Sequence, residues 1–439
     1  MSDSPYDEHF VSWFRAVTPY INAFRGKTFV IAFGGKAVAS EFAKTLAYDV
    51  NLLVSLGIRL VLVHGARPQI EEELREKNLE SVYHRGYRVT DAETLDCVLD
   101  AVGSVYLEIE AMLSQGLPNT PMANSRIRVI GGNFITGQPI GVLDGIDMHY
   151  AGKVRKVDAE GINAQLGLGN IVLLNCEGPS PTGEIFNLQM EEAAEAVAAA
   201  LKADKLVYLT DSRGVTNPGG ELLDAMTADE VAEIIKSGEW LSPDIRRYLP
   251  CAERASRAGV GRVHLIGFEQ DGALLRELFT HDGVGTVVTR ESLENIREAK
   301  PDDIGALIAL IEPMEEEGIL VHRPRELLER EIEHFSIMEH DGIIVGCAAL
   351  YRHSDEEAEL ACLAVSAEHR EWGYGEQLMK RIERRAKKAG VKRLFVLTTR
   401  TEHWFVERGF KLGTVDDLPA RKRDMYNYQR RSKVLFKTL

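Results

Sequence analysis

The chain has 439 residues, a formal net charge of −15 and 45% hydrophobic residues, a composition typical of a globular protein with two to four domains. The acidic balance argues against a protein that coats nucleic acid, and no apolar run approaches the ~18 residues that a membrane span needs. The acidic start, MSDSPYDEHF, lacks the apolar region of a signal peptide. Five scattered cysteines without a C-x-x-C pair favour neither a disulfide framework nor structural zinc. We therefore expect a reduced, cytoplasmic protein with no metal site.

The charge is unevenly distributed along the chain. Residues 291–369 contain 6 basic and 20 acidic residues, whereas residues 370–439 contain 19 basic and 8 acidic residues. A basic stretch is often only a solvated face, and a site for a small anionic ligand is the alternative.

Up to about residue 290, short β-branched runs alternate with helical stretches. Segment 190–204, between two predicted strands, is rich in strong helix formers. The predicted strands are Thr28–Phe33, Ile58–Val63, Asn170–Asn175, Leu206–Thr210 and Arg262–Ile266. This alternation predicts right-handed βαβ units and a mostly parallel sheet. A second succession of strands and helices begins after residue 290, where we place a domain boundary.

The second unit contains a strand, a glycine-containing loop and a helix in that order. The strand is ELACLAV (359–365), and the helix has an apolar stripe at Leu378, Ile382 and Ala386. Backbone N–H groups at a helix start can bind a pyrophosphate, and Arg370 at the beginning of the loop adds a charge. An ordinary turn between a strand and a helix is the alternative.

The spacing Arg370-x-x-Gly373-x-Gly375 resembles the CoA pyrophosphate loop of the GNAT acetyltransferases, and WFVERGF (404–410) resembles their late helix-to-strand signature. The resemblance implies acetyl-CoA as co-substrate, with no tightly bound cofactor. Its pantetheine arm would lie against the backbone of Leu360–Val365. The residues implied to contact acetyl-CoA are Cys362, Leu363, Val365, Arg370, Gly373, Tyr374 and Gly375.

A wider resemblance covers the whole chain. ELACLAV, GYGEQL, LFVLTTRTEHWFVERGF and NYQRRSKVL together resemble the bacterial N-acetylglutamate synthases. The family transfers an acetyl group from acetyl-CoA to the α-amine of L-glutamate, the first step of arginine biosynthesis. The resemblance implies an inter-subunit N-terminal helix (1–26), an amino-acid kinase-like αβα sandwich with a mostly parallel sheet (27–290) and an α+β GNAT domain (291–439).

Transfer to an ammonium requires a base, and a thiolate leaving group benefits from an acid. Glu359, at the start of the predicted strand, is the candidate base, acting directly or through a water. Phe405 stands where many GNAT enzymes have a tyrosine acid, so the resemblance points to the hydroxyl of Thr398, either as the acid or as a polarising or water-relaying group. Backbone N–H groups at Cys362–Leu363 are candidates for oxyanion stabilisation. A covalent acetyl-Cys362 is the alternative, but a cysteine in an apolar strand favours direct transfer.

The acceptor, L-glutamate, has two carboxylates, which guanidinium groups bind well. The resemblance implies binding by Arg323, Arg430 and Ser432, with Arg431 as an adjacent competitor for the role of Arg430. The basic C-terminal stretch would then serve the CoA phosphates and the glutamate dianion.

The first unit resembles acetylglutamate kinase in TFVIAFGGKAV (28–38) and LVLVHGARPQI (60–70) but departs from it where ATP phosphates bind. Ala32 replaces a phosphate-binding lysine, and the second glycine loop reads GARP. Lys36 lies four residues away from the expected lysine position. We expect no phosphoryl transfer, although Arg88 in YRVTD leaves binding of an acidic ligand open.

Segment 273–286, ALLRELFTHDGVGT, resembles the arginine-sensor signature of this family. The resemblance implies L-arginine as an inhibitor, bound by Tyr20, Lys205, Glu277, Gly283 and Gly285. The amphipathic N-terminal stretch would join neighbouring subunits of a homo-oligomer, with a hexamer suspected; packing on its own domain is the alternative.

Two other functions remain open at this point. The chain could be an acetylglutamate kinase with an accessory acetyltransferase domain, or a non-catalytic arginine sensor. Ala32 and the altered second glycine loop argue against the kinase. The intact loop at 370–375 and Glu359 argue against the sensor.

Overall fold

The computed structural model describes residues 5–280, 283–290, 294–340 and 342–439. Its contacts divide the chain into two units, Met1–Glu291 and Ser292–Leu439. In the described part of the chain, no helix combines the length and the apolar character that a bilayer crossing requires.

The helices of the first unit are α1 (Pro5–Ala16), α2 (Thr18–Phe24), α3 (Gly35–Ala39), α4 (Ala43–Ser55), α5 (Arg67–Glu76), α6 (Ala92–Leu113), α7 (Ala159–Gly167), α8 (Met190–Leu201), α9 (Ala228–Ser237), α10 (Ile245–Arg257) and α11 (Ala273–Phe279). Its strands are β1 (Thr28–Phe33), β2 (Arg59–His64), β3 (Tyr83–His84), β4 (Tyr87–Arg88), β5 (Val129–Ile130), β6 (Ile135–Pro139), β7 (Val142–Leu143), β8 (Ile146–Asp147), β9 (Gly152–Val157), β10 (Ile171–Leu174), β11 (Glu177–Pro179), β12 (Ile185–Asn187), β13 (Lys205–Thr210), β14 (Ala225–Thr227), β15 (Arg262–Gly267) and β16 (Thr286–Thr289).

The main sheet of this unit has the strand order β14-β16-β15-β13-β1-β2-β10-β5. All its neighbouring strands are parallel except β15 and β16. Every residue of β1 and β13 is buried, as expected for apolar strands covered by helices on both faces. Two apolar cores lie on opposite faces, one formed with α7, α8 and α10 and the other with α4, α5, α6 and α11. The predicted αβα sandwich is confirmed, and each predicted strand agrees with an observed one to within a residue at either end.

The N-terminal stretch differs from the single helix that we predicted, because it forms α1 and α2 with an interruption at Val17. Pro19 at the start of α2 has no N–H to donate to the preceding turn, which favours a break at this point. The aromatic side chains of Phe10, Trp13 and Phe14 on α1 are all more than half exposed.

The helices of the second unit are α12 (Ile304–Glu316), α13 (Arg325–Glu331), α14 (Tyr374–Lys388), α15 (Glu402–Glu407) and α16 (Ala420–Asp424). Its strands are β17 (Glu294–Glu298), β18 (Phe335–His340), β19 (Ile343–Arg352), β20 (Glu357–Val365), β21 (Arg393–Thr398), β22 (Lys411–Gly413) and β23 (Lys433–Thr438). Short 3-10 helices lie at Pro301–Asp303, Ile332–His334, Ala367–Trp372 and Val415–Asp417.

The sheet of the second unit has the order β17-β18-β19-β20-β21-β23-β22 and is antiparallel except between β20 and β21. The predicted stripe of Leu378, Ile382 and Ala386 is confirmed, because all three are buried where α14 packs on the sheet. Residues of α12 belong to a separate apolar core that includes Cys347 and Cys362. The second unit is therefore the predicted α+β domain.

Candidate active site

The parallel pairing of β20 and β21 covers only Glu357–Glu359 against Arg393–Phe395. Beyond Glu359 the two strands are no longer paired, and we call this divergence the strand fork. The predicted pantetheine segment, Leu360–Val365, forms one arm of the fork, and Thr398 ends the other arm. The backbone groups of the first arm that point toward β21 are therefore left for another partner.

A β-bulge interrupts the first arm of the strand fork. The register against β19 shifts between the pairs Cys347–Ala364 and Ala349–Ala361. Cys362 lies within the bulge and has a φ of 49°, a conformation that side-chain-bearing residues seldom adopt. Bulges re-aim backbone groups, which is consistent with the oxyanion role predicted for the N–H groups at 362–363. The Cys362 side chain itself is buried in the apolar core.

Glu359 is the last residue of β20 to pair with β21, and it is 7% exposed. Its Oε2 lies 2.6 Å from Nζ of Lys422 and 3.2 Å from Nε2 of His353. Burial alone would raise the pKa of this carboxyl, but the hydrogen bond from His353 and the charge of Lys422 outweigh burial and lower the pKa. Glu359 is therefore ionised at neutral pH. Sequence reasoning identified neither His353 nor Lys422.

Thr398 ends β21 with a hydroxyl that is nearly buried. Its Oγ1 accepts the backbone N–H of Thr401 at 3.1 Å and lies 2.8 Å from the Thr401 hydroxyl. Phe405, which stands at the position of the usual tyrosine acid, has its side chain buried in the apolar core that α14 forms with the sheet. The hydroxyl of Thr398 is thus held in place by the turn that follows β21.

Arg323 and Arg430 lie close together, although more than a hundred residues separate them in sequence. Arg430 Nη2 donates to the carbonyl of Gly318 at 3.2 Å. The pKa of Arg430 is lowered, first by burial and then by the positive charge of Arg323. Arg431 is exposed, whereas Ser432 is half-buried and accepts the Tyr426 hydroxyl at its carbonyl. Guanidinium groups are well suited to binding carboxylates, so the two predicted substrate-binding arginines lie in one neighbourhood.

The predicted pyrophosphate loop joins the 3-10 helix Ala367–Trp372 to α14. Gly373, with a φ of 76°, is the N-cap residue that immediately precedes α14. A Cβ on Gly375 would lie 3.3 Å from the Trp404 ring. Tyr374 is fully buried and its hydroxyl lies 2.8 Å from His340 Nδ1, so only its backbone is available to a ligand. Arg370 is exposed.

In the first unit, the predicted effector residues come together around Glu277. Its Oε1 lies 2.7 Å from His264 Nδ1, and its Oε2 accepts the backbone N–H groups of Val284 at 2.7 Å and Gly285 at 3.0 Å. His264 Nε2 lies 3.2 Å from Lys205 Nζ. Sequence reasoning missed His264, although a histidine inside the apolar run RVHLIG was a signal. His281 and Asp282 of the predicted signature lie outside the described residues.

This cluster, which we call the effector cluster (Lys205, His264 and Glu277), has strongly shifted ionisation. Burial and the charge of Arg262 lower the pKa of Lys205 to about 7. Burial and the charge of Lys205 lower the pKa of His264 to about 4. Burial would raise the pKa of Glu277, but the hydrogen bonds from His264 and the loop backbone lower it to about 2.

The two predicted effector glycines, Gly283 and Gly285, have no room for side chains. A Cβ on Gly283, where φ is 59°, would lie 2.7 Å from Oε2 of Glu277, and one on Gly285 would lie 2.3 Å from a backbone oxygen. On the other side, the Phe24 ring lies 5.0 Å from Lys205 Nζ and 6.1 Å from the ring of Tyr20. The structure thus brings all five predicted effector residues into one neighbourhood.

The kinase-like cleft has a cavity of about 280 Å³ beside the two glycine loops. Ala32 is buried in β1. Lys36, the other lysine candidate for phosphate, lies 2.6 Å from the Asp211 carboxylate. Arg88 is engaged by the Glu71 carboxylate at 2.9 Å. Acidic side chains therefore already pair with both cations.

Residues 27–267 match the model of the Amino acid kinase family, and residues 304–410 match that of the Acetyltransferase (GNAT) family. The chain is 51% identical to the amino-acid acetyltransferase of Ralstonia nicotianae, over 99% of this chain and 97% of the relative. It is 50% identical to that of Ectopseudomonas mendocina, over 98% and 99%. The chain belongs to the bacterial N-acetylglutamate synthases. It is an amino-acid N-acetyltransferase.

Solved structures agree with this assignment. The N-acetylglutamate synthase from Neisseria gonorrhoeae complexed with coenzyme A and L-arginine is 41% identical, covers both chains fully and superimposes with a TM-score of 0.91. The same enzyme complexed with coenzyme A and N-acetyl-glutamate, also at full coverage, has a TM-score of 0.63. The family resemblance from the sequence motifs is confirmed.

Proposed function

We propose that the protein transfers the acetyl group of acetyl-CoA directly to the α-amine of L-glutamate, and that L-arginine inhibits it from the first unit. The observation that carries the proposal is the ionised Glu359 at the strand fork, where the sheet leaves backbone groups for a thioester arm. A relative with this fold binds coenzyme A and N-acetyl-glutamate.

In the proposed reaction, Glu359 accepts a proton from the glutamate ammonium, directly or through a water. The amine nitrogen then attacks the thioester carbonyl, and the backbone N–H groups at 362–363 stabilise the oxyanion. When the C–S bond breaks, the nitrogen loses its second proton, which passes through the Thr398 hydroxyl, or through a water that Thr398 positions, to the departing thiolate. The burial of Cys362 supports this direct route over a covalent acetyl-enzyme.

The paired guanidinium groups of Arg323 and Arg430 support binding of the two substrate carboxylates, with Ser432 beside them. Neighbouring positive charges are costly when unoccupied, and a dianion relieves that repulsion. Because Arg430 lies near Arg323, it is a better candidate for carboxylate binding than the exposed Arg431.

Acetyl-CoA binding is supported by the start of α14, because free backbone N–H groups and the positive end of a helix attract a phosphate. Gly375→Val would crowd Trp404 and block the backbone at the loop. We expect a KM for acetyl-CoA that is roughly tenfold higher, with glutamate affinity in the free enzyme unchanged. An unaltered acetyl-CoA KM would remove the loop from the site.

Arginine inhibition is supported by the effector cluster and by the arginine complex of the Neisseria relative. Oε1 of Glu277 retains a second lone pair that can accept a guanidinium N–H. Because the cluster belongs to the first unit and Glu359 to the second, inhibition must act between two sites, with a coupling free energy of about 1–3 kcal/mol.

The exposed aromatic residues of α1, namely Phe10, Trp13 and Phe14, support a contact with a neighbouring subunit in a homo-oligomer. Light scattering of the full chain and of a Trp13→Glu/Phe14→Glu variant tests this contact. We expect the variant to have the smaller mass, and equal masses would exclude α1 from the interface.

The decisive experiment is mass spectrometry of the products formed from acetyl-CoA and L-glutamate, with and without ATP. We expect N-acetylglutamate and free CoA in both samples. An additional phosphorylated product that depends on ATP would support the kinase alternative. The absence of any acetylated product would support the non-catalytic sensor.

A further inference from the structure

The carboxylate of Glu359 is held asymmetrically. Both of its protein contacts, Nζ of Lys422 and Nε2 of His353, are to Oε2. No described residue hydrogen-bonds to Oε1, and Oε1 is not among the unpartnered atoms that are sealed from solvent. One oxygen is therefore fixed by the protein and the other is accessible.

Lys422 is brought to Glu359 by a packed segment, although the two are 63 positions apart in sequence. Leu418 is buried beside Phe395, the residue that pairs with Glu359 on β21. The carbonyl of Asp417 accepts Arg393 Nη2 at 3.0 Å. Helix α16, which carries Lys422, begins two residues after Leu418, at Ala420.

We propose that Lys422, together with His353, is a positioning residue for the acetyl transfer: the two side chains hold Oε2 of Glu359 and leave Oε1 to receive the substrate proton. This inference rests on the proposed role of Glu359 as the base. Lys422 brings its positive charge to one oxygen only and leaves the other oxygen free.

The charges around Glu359 make the role of Lys422 measurable. Tyr351 of β19 stands opposite Glu359, but its hydroxyl donates to Glu331 at 3.0 Å. β21 presents the apolar Phe395. His353 and Lys422 are thus the groups that favour the ionised carboxylate against the effect of burial.

The test measures kcat/KM for glutamate from pH 5 to 9 at saturating acetyl-CoA. The enzymes are the wild type, Lys422→Met, Lys422→Arg and the matched control Arg423→Met, which removes one charge from the same helix. Activity is expressed as the ratio of variant to wild type, so the ionisation of free glutamate cancels. Without Lys422, only His353 opposes the effect of burial, so protonation of Glu359 extends to higher pH.

An opposite charge at this distance shifts a carboxyl pKa by roughly 1–3 units. Loss of this charge should therefore lower the Lys422→Met ratio roughly tenfold at the acidic end of the range and leave it near one at pH 8. Lys422→Arg should restore much of the acidic activity, and Arg423→Met should stay near one throughout. A Lys422→Met ratio that is uniformly low, or flat at one, would overturn the inference.

The variant Glu359→Gln separates this inference from the proposed function. If Glu359→Gln retains near-normal kcat, the base assignment fails whatever Lys422 does. If Glu359→Gln is strongly impaired, adding Lys422→Met should give no further pH-dependent loss, because the titrating carboxyl is gone. A further loss of kcat/KM at acidic pH in the double variant would show that Lys422 acts through a different group.

Discussion

Each unit of the protein has a buried glutamate with a histidine and a lysine nearby, and the two arrangements differ in what they leave available. Glu277 is bonded at both oxygens, by His264 on one and by two backbone N–H groups on the other. Glu359 is bonded at Oε2 alone. The lysine contacts Glu359 directly, whereas Lys205 reaches Glu277 only through His264.

This difference separates a carboxylate that fixes a loop from one that can exchange a proton. The two backbone bonds to Glu277 tie residues 284–285 to α11, and its pKa of about 2 makes it a very weak base. The pKa of Glu359 is also lowered, but its Oε1 has no hydrogen-bond partner among the described residues. Burial and charge are similar in the two cases, so the geometry of the bonded oxygens makes the difference.

The largest expected effect comes from removing the carboxylate of Glu359, whose Oε1 is free to take a proton. Glu359→Gln keeps the shape but cannot take the ammonium proton, so kcat should fall by roughly 10²–10⁴ at pH 7. Part of the loss should recover at high pH, where free amine is more abundant. Steady-state kinetics from pH 6 to 10 measures both effects. Near-normal kcat at pH 7 would assign the base role to another group.

The next effect tests the receptor for the substrate carboxylates. Arg430→Ala removes a charged hydrogen-bonding group worth about 1.5–3 kcal/mol, so the KM for glutamate should rise roughly 10–100-fold. The neighbouring Arg431→Ala is the matched control and should change KM less than twofold. Initial rates at varied glutamate measure both. A larger effect from Arg431 would reverse the assignment within the RR pair.

In the first unit, Glu277→Ala removes the proposed guanidinium acceptor, so it should abolish arginine inhibition and leave uninhibited turnover nearly intact. The inhibition that is lost corresponds to a change of roughly 5–150-fold in the apparent affinity for a substrate when arginine binds. Dose–response curves for L-arginine provide the measurement, with the exposed Glu233→Ala as control. Inhibition that is unchanged in Glu277→Ala, or purely competitive with glutamate, would move the arginine site into the acetyltransferase domain.

The smallest effect concerns the pH dependence of stability. His264 has a pKa of about 4 in the folded protein and about 6.5 when unfolded, so the unfolded state binds an extra proton between these values. The contribution of the buried, neutral His264 to the free energy of unfolding is therefore complete above pH 6.5 and is lost as the pH falls toward 4. His264→Gln keeps a donor and an acceptor without titrating. Between pH 7 and 4.5, the unfolding temperature of the His264→Gln variant should fall a few degrees less than that of the wild type. If the unfolding temperatures of the two proteins change equally with pH, the depressed pKa of His264 is contradicted.

Local sequence patterns predicted most of the fold. Continuous apolar runs such as Thr28–Phe33 specify buried parallel strands, and the stripe on α14 specifies a packed helix. The break at Val17 was missed because Pro19 was outweighed by the apolar spacing around it. Motif resemblance supplied Glu359, Arg323 and the effector residues.

The side chains that complete the two carboxylate sites could not be predicted in the same way. Lys422 is one of several cations in a basic stretch, and only packing of Leu418 against Phe395 selects it as the partner of Glu359. His264 reaches Glu277 because β15 and α11 pack together. Such contacts depend on tertiary geometry, which periodicity does not encode.

The strand fork also has a consequence for how this domain exchanges its amide hydrogens. Amides in a continuous ladder exchange slowly, whereas amides without a structural partner exchange quickly when solvent reaches them. The amides of Leu360–Val365 that point toward β21 lie in the middle of the sheet, yet they have the exchange behaviour of an outer strand. In the free protein, deuterium should therefore enter the sheet from its centre, between two slowly exchanging halves.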